Sequence, residues 1–102
     1  MNKTEARFHE LLFEQKVKGN ILDFEYERIK LKLADATFYT PDFVVYPLVG
    51  NYTDNPCLKF IEVKGPFIRD DAMVKFKVAK EMFKHFDFEM WQLKDSTWRR
   101  IK

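Results

Sequence analysis

Apolar and polar positions along this chain change period several times, and each change predicts an element. Residues 2–18 place Phe8, Leu11 and Leu12 on one stripe, widened by Phe13 and Val17. That spacing predicts an amphipathic helix. Asn2 is placed to cap it, and Glu5 three residues on completes a capping box. Gly19 supplies a C-terminal stop. From 22 to 33 the period falls to two. Phe24 and Tyr26 alternate with charges, then Ile29, Leu31 and Leu33 alternate with Lys30 and Lys32. The phase slips by one residue between Tyr26 and Ile29, which predicts a single strand with a β-bulge near Glu27 and Arg28. Residues 34–40 read as a connection.

The second strand, 42–48, is nearly continuous in apolar residues and therefore central. Residues 50–56 form a polar turn. A third strand, 58–64, ends at Gly65-Pro66. Asp70 or Asp71 caps a second helix that runs to about His85. Its apolar face is Ala72, Phe76, Ala79, Phe83 and Phe86, with Met73 and Met82 beside it; Lys75, Lys77, Lys80 and Lys84 take the other side. A fourth strand covers 88–93, with Phe88, Met90 and Gln92 on one side, and Trp98 and Ile101 pin the tail. The predicted order is αβββαβ in one α+β domain spanning 1–102.

The 102 residues are 46% hydrophobic and 17% aromatic, which fits a globular chain. A chain of this length buries roughly two-thirds of its unfolded surface, enough for one modest core. The net charge of +2 permits a polyanionic partner without requiring one. One cysteine, Cys57, excludes an internal disulfide and reads as a free thiol in a reducing compartment. No apolar run approaches the ~20 residues needed to cross a bilayer. The polar N-terminus does not read as a signal peptide. The expected location is cytoplasmic, with no membrane partner.

The chemistry concentrates in Pro41-Asp42 and Glu62-Val63-Lys64-Gly65. Side chains alternate along a strand, so Glu62 and Lys64 share a face. An antiparallel neighbour can set Asp42 beside them. Two carboxylates and an ammonium on one sheet face are an odd burden for a small core, but they suit a hard divalent cation and a water. A second acidic-x-Lys triplet, Glu14-Gln15-Lys16, makes a control. It lies on the first helix, where its charged side chains diverge by ~200°.

Pro41-Asp42 followed by Glu62-Val63-Lys64, in an αβββαβ order, resembles the PD-(D/E)XK nuclease superfamily. The opening Lys3-Thr4-Glu5-Ala6-Arg7-Phe8 looks like the first helix of small phage-encoded members, close to Holliday-junction resolvases. The resemblance implies a restriction-endonuclease-like core, a mixed sheet flanked by helices. It implies that Asp42, Glu62 and the Val63 carbonyl hold Mg²⁺, with Mn²⁺ as substitute. Lys64 then orients the water or stabilises the phosphate, and Glu5 supports the site from the first helix. The implied activity is endonucleolytic hydrolysis of DNA, leaving 5′-phosphate and 3′-hydroxyl ends. For a phage-encoded enzyme the location is the host cytoplasm.

Each residue also has an ordinary reading. Asp42 can accept a turn hydrogen bond at a strand entry. Glu62 and Lys64 can be a surface pair worth ~0–1 kcal/mol. Glu5 can serve only as helix cap. The basic residues Arg69, Lys75, Lys77 and Lys80, with Lys3 and Arg7 around Glu5, are candidates for DNA phosphates. Tyr39, Tyr52, Phe67 and Trp98 are weaker candidates for contact with DNA. His9 reads as a surface residue. Junction DNA is the favoured substrate, because 102 residues leave no room for a separate sequence-reading domain. Cutting two strands favours a homodimer. The alternatives are a non-catalytic nucleic-acid-binding module and a partner-dependent subunit of a packaging or recombination machine.

Overall fold

A computed structural model describes residues 1–48 and 57–102; the expected turn at 50–56 lies outside the described residues. Helix α1 (Lys3–Val17) starts at Asn2 with the full capping box: Asn2 Oδ1 accepts the Glu5 N–H and Glu5 Oε1 accepts the Asn2 N–H, each at 2.8 Å. Gly19 follows at φ 78°, the left-handed conformation that ends a helix. Strands β1 (Asp23–Tyr26), β2 (Leu31–Ala34), β3 (Thr37–Tyr39), β4 (Phe43–Tyr46) and β5 (Lys59–Lys64) come next. Helix α2 (Asp70–Met82) precedes β6 (Asp87–Lys94) and β7 (Thr97–Arg100).

The main sheet runs β1-β4-β5-β6-β7, and β2 and β3 form a separate hairpin. Pairing is antiparallel except between β5 and β6, so the sheet is mixed. The fold is α+β. Helix α1 covers one face, where Phe8 and Leu12 bury against Phe43, Val45, Ile61 and Val63. Helix α2 and the β2–β3 hairpin cover the other, with Phe76 and Ala79 against Val44, Phe60, Phe88 and Met90. Alternation along β4, β5 and β6 assigns residues to these two layers.

Several expectations are corrected. The single strand over 22–33 is two strands in different sheets. Glu27 sits at φ 47° and turns the chain out of the main sheet, so the phase slip marks a break rather than a bulge. The connection 34–40 contains β3. The tail is a strand: β7 pairs with β6 through Asp95 and Ser96 at φ 52° and 60°, the twist a two-residue hairpin needs. The order is therefore αβββββαββ. Phe13 and Val17 do not widen the buried stripe but are 56% and 71% exposed. At 100° per residue, Val17 lies about 180° from Phe8. Helix α2 is capped by Arg69 without a side-chain bond, and Asp70 and Asp71 fall in its first turn, where they favour the dipole. It ends at Met82, short of His85, and Met82 and Phe86 are exposed. Among the described residues no helix is long and apolar enough to cross a membrane.

Candidate active site

Asp42 stands one residue before β4, and Glu62 and Lys64 lie near the end of β5. The pairing Phe43↔Ile61, extended by one step, sets Asp42 opposite Glu62. Glu62 belongs to the α2 face, in phase with Phe60, and Asp42 sits at the end of the sheet beside it. Asp42 and Glu62 are 8% and 6% exposed. A buried carboxylate needs partners, and each has them. Asp42 Oδ2 accepts the Val63 N–H at 2.8 Å. Glu62 Oε1 accepts the Tyr39 hydroxyl at 2.8 Å, and Oε2 lies 2.9 Å from Lys64 Nζ. The Asp42 carboxylate therefore accepts a bond from β5 across the sheet, 21 residues on, rather than the turn hydrogen bond of the ordinary reading.

Glu5 arrives from the first turn of α1. Its Oε1 accepts both the Asn2 N–H and, at 3.1 Å, the Tyr26 hydroxyl. Its carboxylate also lies within 4.8 Å of the Asp42 carboxyl. Cap and cluster member are therefore compatible roles for one side chain. Glu5, Glu27 and Asp42 each bring a carboxylate oxygen within 4.8 Å of the others. Glu27 is held there because its N–H donates to the Asp42 carbonyl at 2.9 Å.

Electrostatics follow from this crowding. Burial first, then the charge of Glu62, and then Glu5 push the Asp42 carboxyl up to about 8, against the pull of the Val63 N–H. Burial and the adjacent Glu62 also raise the Tyr39 phenol well above its ordinary value. The Tyr26 phenol rises through burial and its contacts with Glu27 and Glu5.

The structure brings Asp42, Glu62, Lys64 and Glu5 to one end of the sheet. Val63 enters through its N–H. Sequence reasoning missed Glu27 and the support from Tyr26 and Tyr39. Tyr39 is buried, not free for DNA, and Trp98 packs edge-on to Phe8 at 5.0 Å. Phe67 is 94% exposed; Tyr52 lies outside the described residues. Lys3, Arg7, Arg69, Lys75, Lys77 and Lys80 are all exposed. Lys75 Nζ donates to the Phe38 carbonyl at 3.3 Å, tying it to the hairpin. His9 is half-buried, edge-on to Phe24 at 4.9 Å, rather than on the open surface. Gly65 faces α1: an added Cβ would meet Thr4 Oγ1 at 3.9 Å, an ordinary contact, so nothing there demands glycine.

No known protein family, curated protein or solved structure matches the chain.

Proposed function

We propose that the chain is a divalent-metal-dependent DNA endonuclease of the PD-(D/E)XK type. The observation that carries the reading is the alignment of buried Asp42 and Glu62 across β4 and β5, with the Lys64 ammonium on Glu62. A β5–α2–β6 unit with parallel strands beside an antiparallel β4 supports a restriction-endonuclease-like core, to which the β2–β3 hairpin and β7 are added.

The donors fit a hard cation. Every one is oxygen, the element Mg²⁺ and Mn²⁺ take from proteins. Glu5, Glu27 and Asp42 converge within 4.8 Å, a crowding that keeps a proton on Asp42 and that a divalent cation would offset in its place. Asp42 would hold it together with Glu5 and Glu27, the carboxylates that converge on it; Glu62, whose oxygens are engaged by Tyr39 and Lys64, and the Val63 carbonyl are the further ligands that the resemblance implies. When bound, such an ion polarises the phosphate and lowers the pKa of water. The chain's own groups do the rest. Asp42 would release to solvent the proton that crowding holds on it when a cation takes its place. Tyr39 fixes Glu62 through a hydroxyl hydrogen bond. Lys64 holds a positive charge beside Glu62, where it can face a phosphate oxygen or orient a water.

Branched DNA is the proposed substrate, cut by a homodimer in the cytoplasm. The test is nicking of supercoiled plasmid by purified protein with Mg²⁺. Nicking that disappears in Glu62→Ala and with a chelator supports the reading; nicking that survives Glu62→Ala overturns the site. A second reading, a subunit active only within a larger DNA-processing assembly, draws on the exposed Val74, Val78 and Met82 along α2. A folded chain that binds metal yet cuts no DNA would favour it.

A further inference from the structure

Lys64, Gln92 and Arg99 form one row across the α2 face of the sheet. Lys64 pairs with Gln92 across β5 and β6, and Gln92 pairs with Arg99 across β6 and β7. The next row is Lys94 and Thr97. Gln92 is 8% exposed, and its Nε2 donates to the Gly65 carbonyl at 3.2 Å and the Pro66 carbonyl at 3.1 Å. These bonds anchor the turn directly after Lys64. The same side chain forms one wall of a cavity of about 350 Å³, completed by Lys94, Asp95, Thr97 and Arg99.

The charges of this cavity are unbalanced. Among the described residues Lys94 and Arg99 form no ion pair, whereas neighbouring Arg100 is drawn to Glu89 at 3.5 Å. Asp95 is the one carboxylate on the wall, against two cations. Free guanidinium and ammonium groups around a polar concavity suit a phosphodiester, which Arg binds through its fork and Lys as a point charge.

Spacing connects the cavity to the candidate active site. Neighbouring strands lie ~4.8 Å apart, so Arg99 starts about 10 Å from Lys64. An interval of about 10 Å is short enough for both groups to meet nearby phosphates of one DNA strand.

We propose that the cavity walled by Gln92, Lys94 and Arg99 is a subsite for a backbone phosphate of the DNA strand at the active site, a neighbour of the one at Lys64. The choice of ligand rests on the nuclease reading. Lys94 and Arg99 bind the phosphate; Gln92 is a positioning residue that fixes the turn between the two sites.

The experiment measures anisotropy of labelled four-way-junction DNA against salt, with Ca²⁺ replacing Mg²⁺ so that binding is read apart from cleavage. Wild type, Arg99→Gln, Lys94→Gln and Asp95→Asn are compared, and unchanged melting temperatures establish that each is folded. Arg99→Gln and Lys94→Gln should each lower the slope of log K against log salt by about 0.7–0.9. Asp95→Asn should tighten binding. Wild-type slopes in both cation variants overturn the subsite. Plasmid nicking by the same samples separates the two claims. Lost slope without nicking by wild type keeps the subsite and overturns the isolated nuclease; nicking with unchanged slopes does the reverse. Wild-type protein that binds no DNA overturns both.

Discussion

The Lys64 ammonium lies 2.9 Å from Glu62 Oε2, two residues away on the same strand. On an open surface such a pair contributes little. Here the Glu62 side chain is 8% exposed, and its other oxygen is taken by Tyr39. Lys64→Ala should leave a buried carboxylate short of one partner. Stability should fall by about 1–3 kcal/mol, and DNA cleavage should fall about 100- to 1,000-fold. Urea unfolding and single-turnover rates check the two effects separately.

Tyr39→Phe removes one hydroxyl and leaves the ring packed in the core. Glu62 then loses the bond that fixes its carboxylate. Divalent-metal affinity should fall about 10- to 100-fold, as for other partners of metal ligands. Calorimetric titration with Mn²⁺ measures it.

Asp42 gives the protein a pH dependence of defined sign. Its folded-state pKa is raised from 3.8 to about 8, so the folded state holds the proton more tightly than the unfolded chain. Its stabilising contribution is complete below pH 3.8 and is lost as pH rises through about 8. Without divalent metal, the urea midpoint should fall between about pH 4 and pH 8 and level off above that. Asp42→Asn should flatten that fall. Mg²⁺ should restore more stability at the higher pH, because metal binding expels the proton.

Glu27 combines a left-handed backbone with a place in the carboxylate cluster. A side chain at φ 47° costs about 1–2 kcal/mol relative to glycine. Glu27→Gly should therefore stabilise the metal-free protein by about 1 kcal/mol while weakening Mn²⁺ binding. Thermal melts with and without Mn²⁺ give both signs in one experiment.

These residues differ in how plainly the sequence announced them. Glu62 and Lys64 share a face by strand parity alone, and Asp42 falls opposite Glu62 because β4 and β5 are neighbours in an antiparallel pair. Asn2 and Glu5 form a local motif with a fixed spacing. Glu27 was ambiguous: a one-residue phase slip is the same pattern for a bulge and for a chain leaving the sheet. What decided it was Leu31, which buries under α2 with Tyr39 rather than extending β1. The β2–β3 and β6–β7 turns escaped notice because Ala36, Asp95 and Ser96 adopt positive φ without a glycine to signal it. Tyr39 meets Glu62 across 23 positions of sequence, and no local pattern encodes that contact.

The most direct test is single-turnover cleavage of end-labelled junction DNA with Mg²⁺ by wild type, Asp42→Asn and Glu62→Ala. The account predicts discrete cuts by wild type, leaving 5′-phosphate ends, and a loss of at least about 100-fold in each variant. Cleavage by Asp42→Asn and Glu62→Ala at the wild-type rate would contradict it.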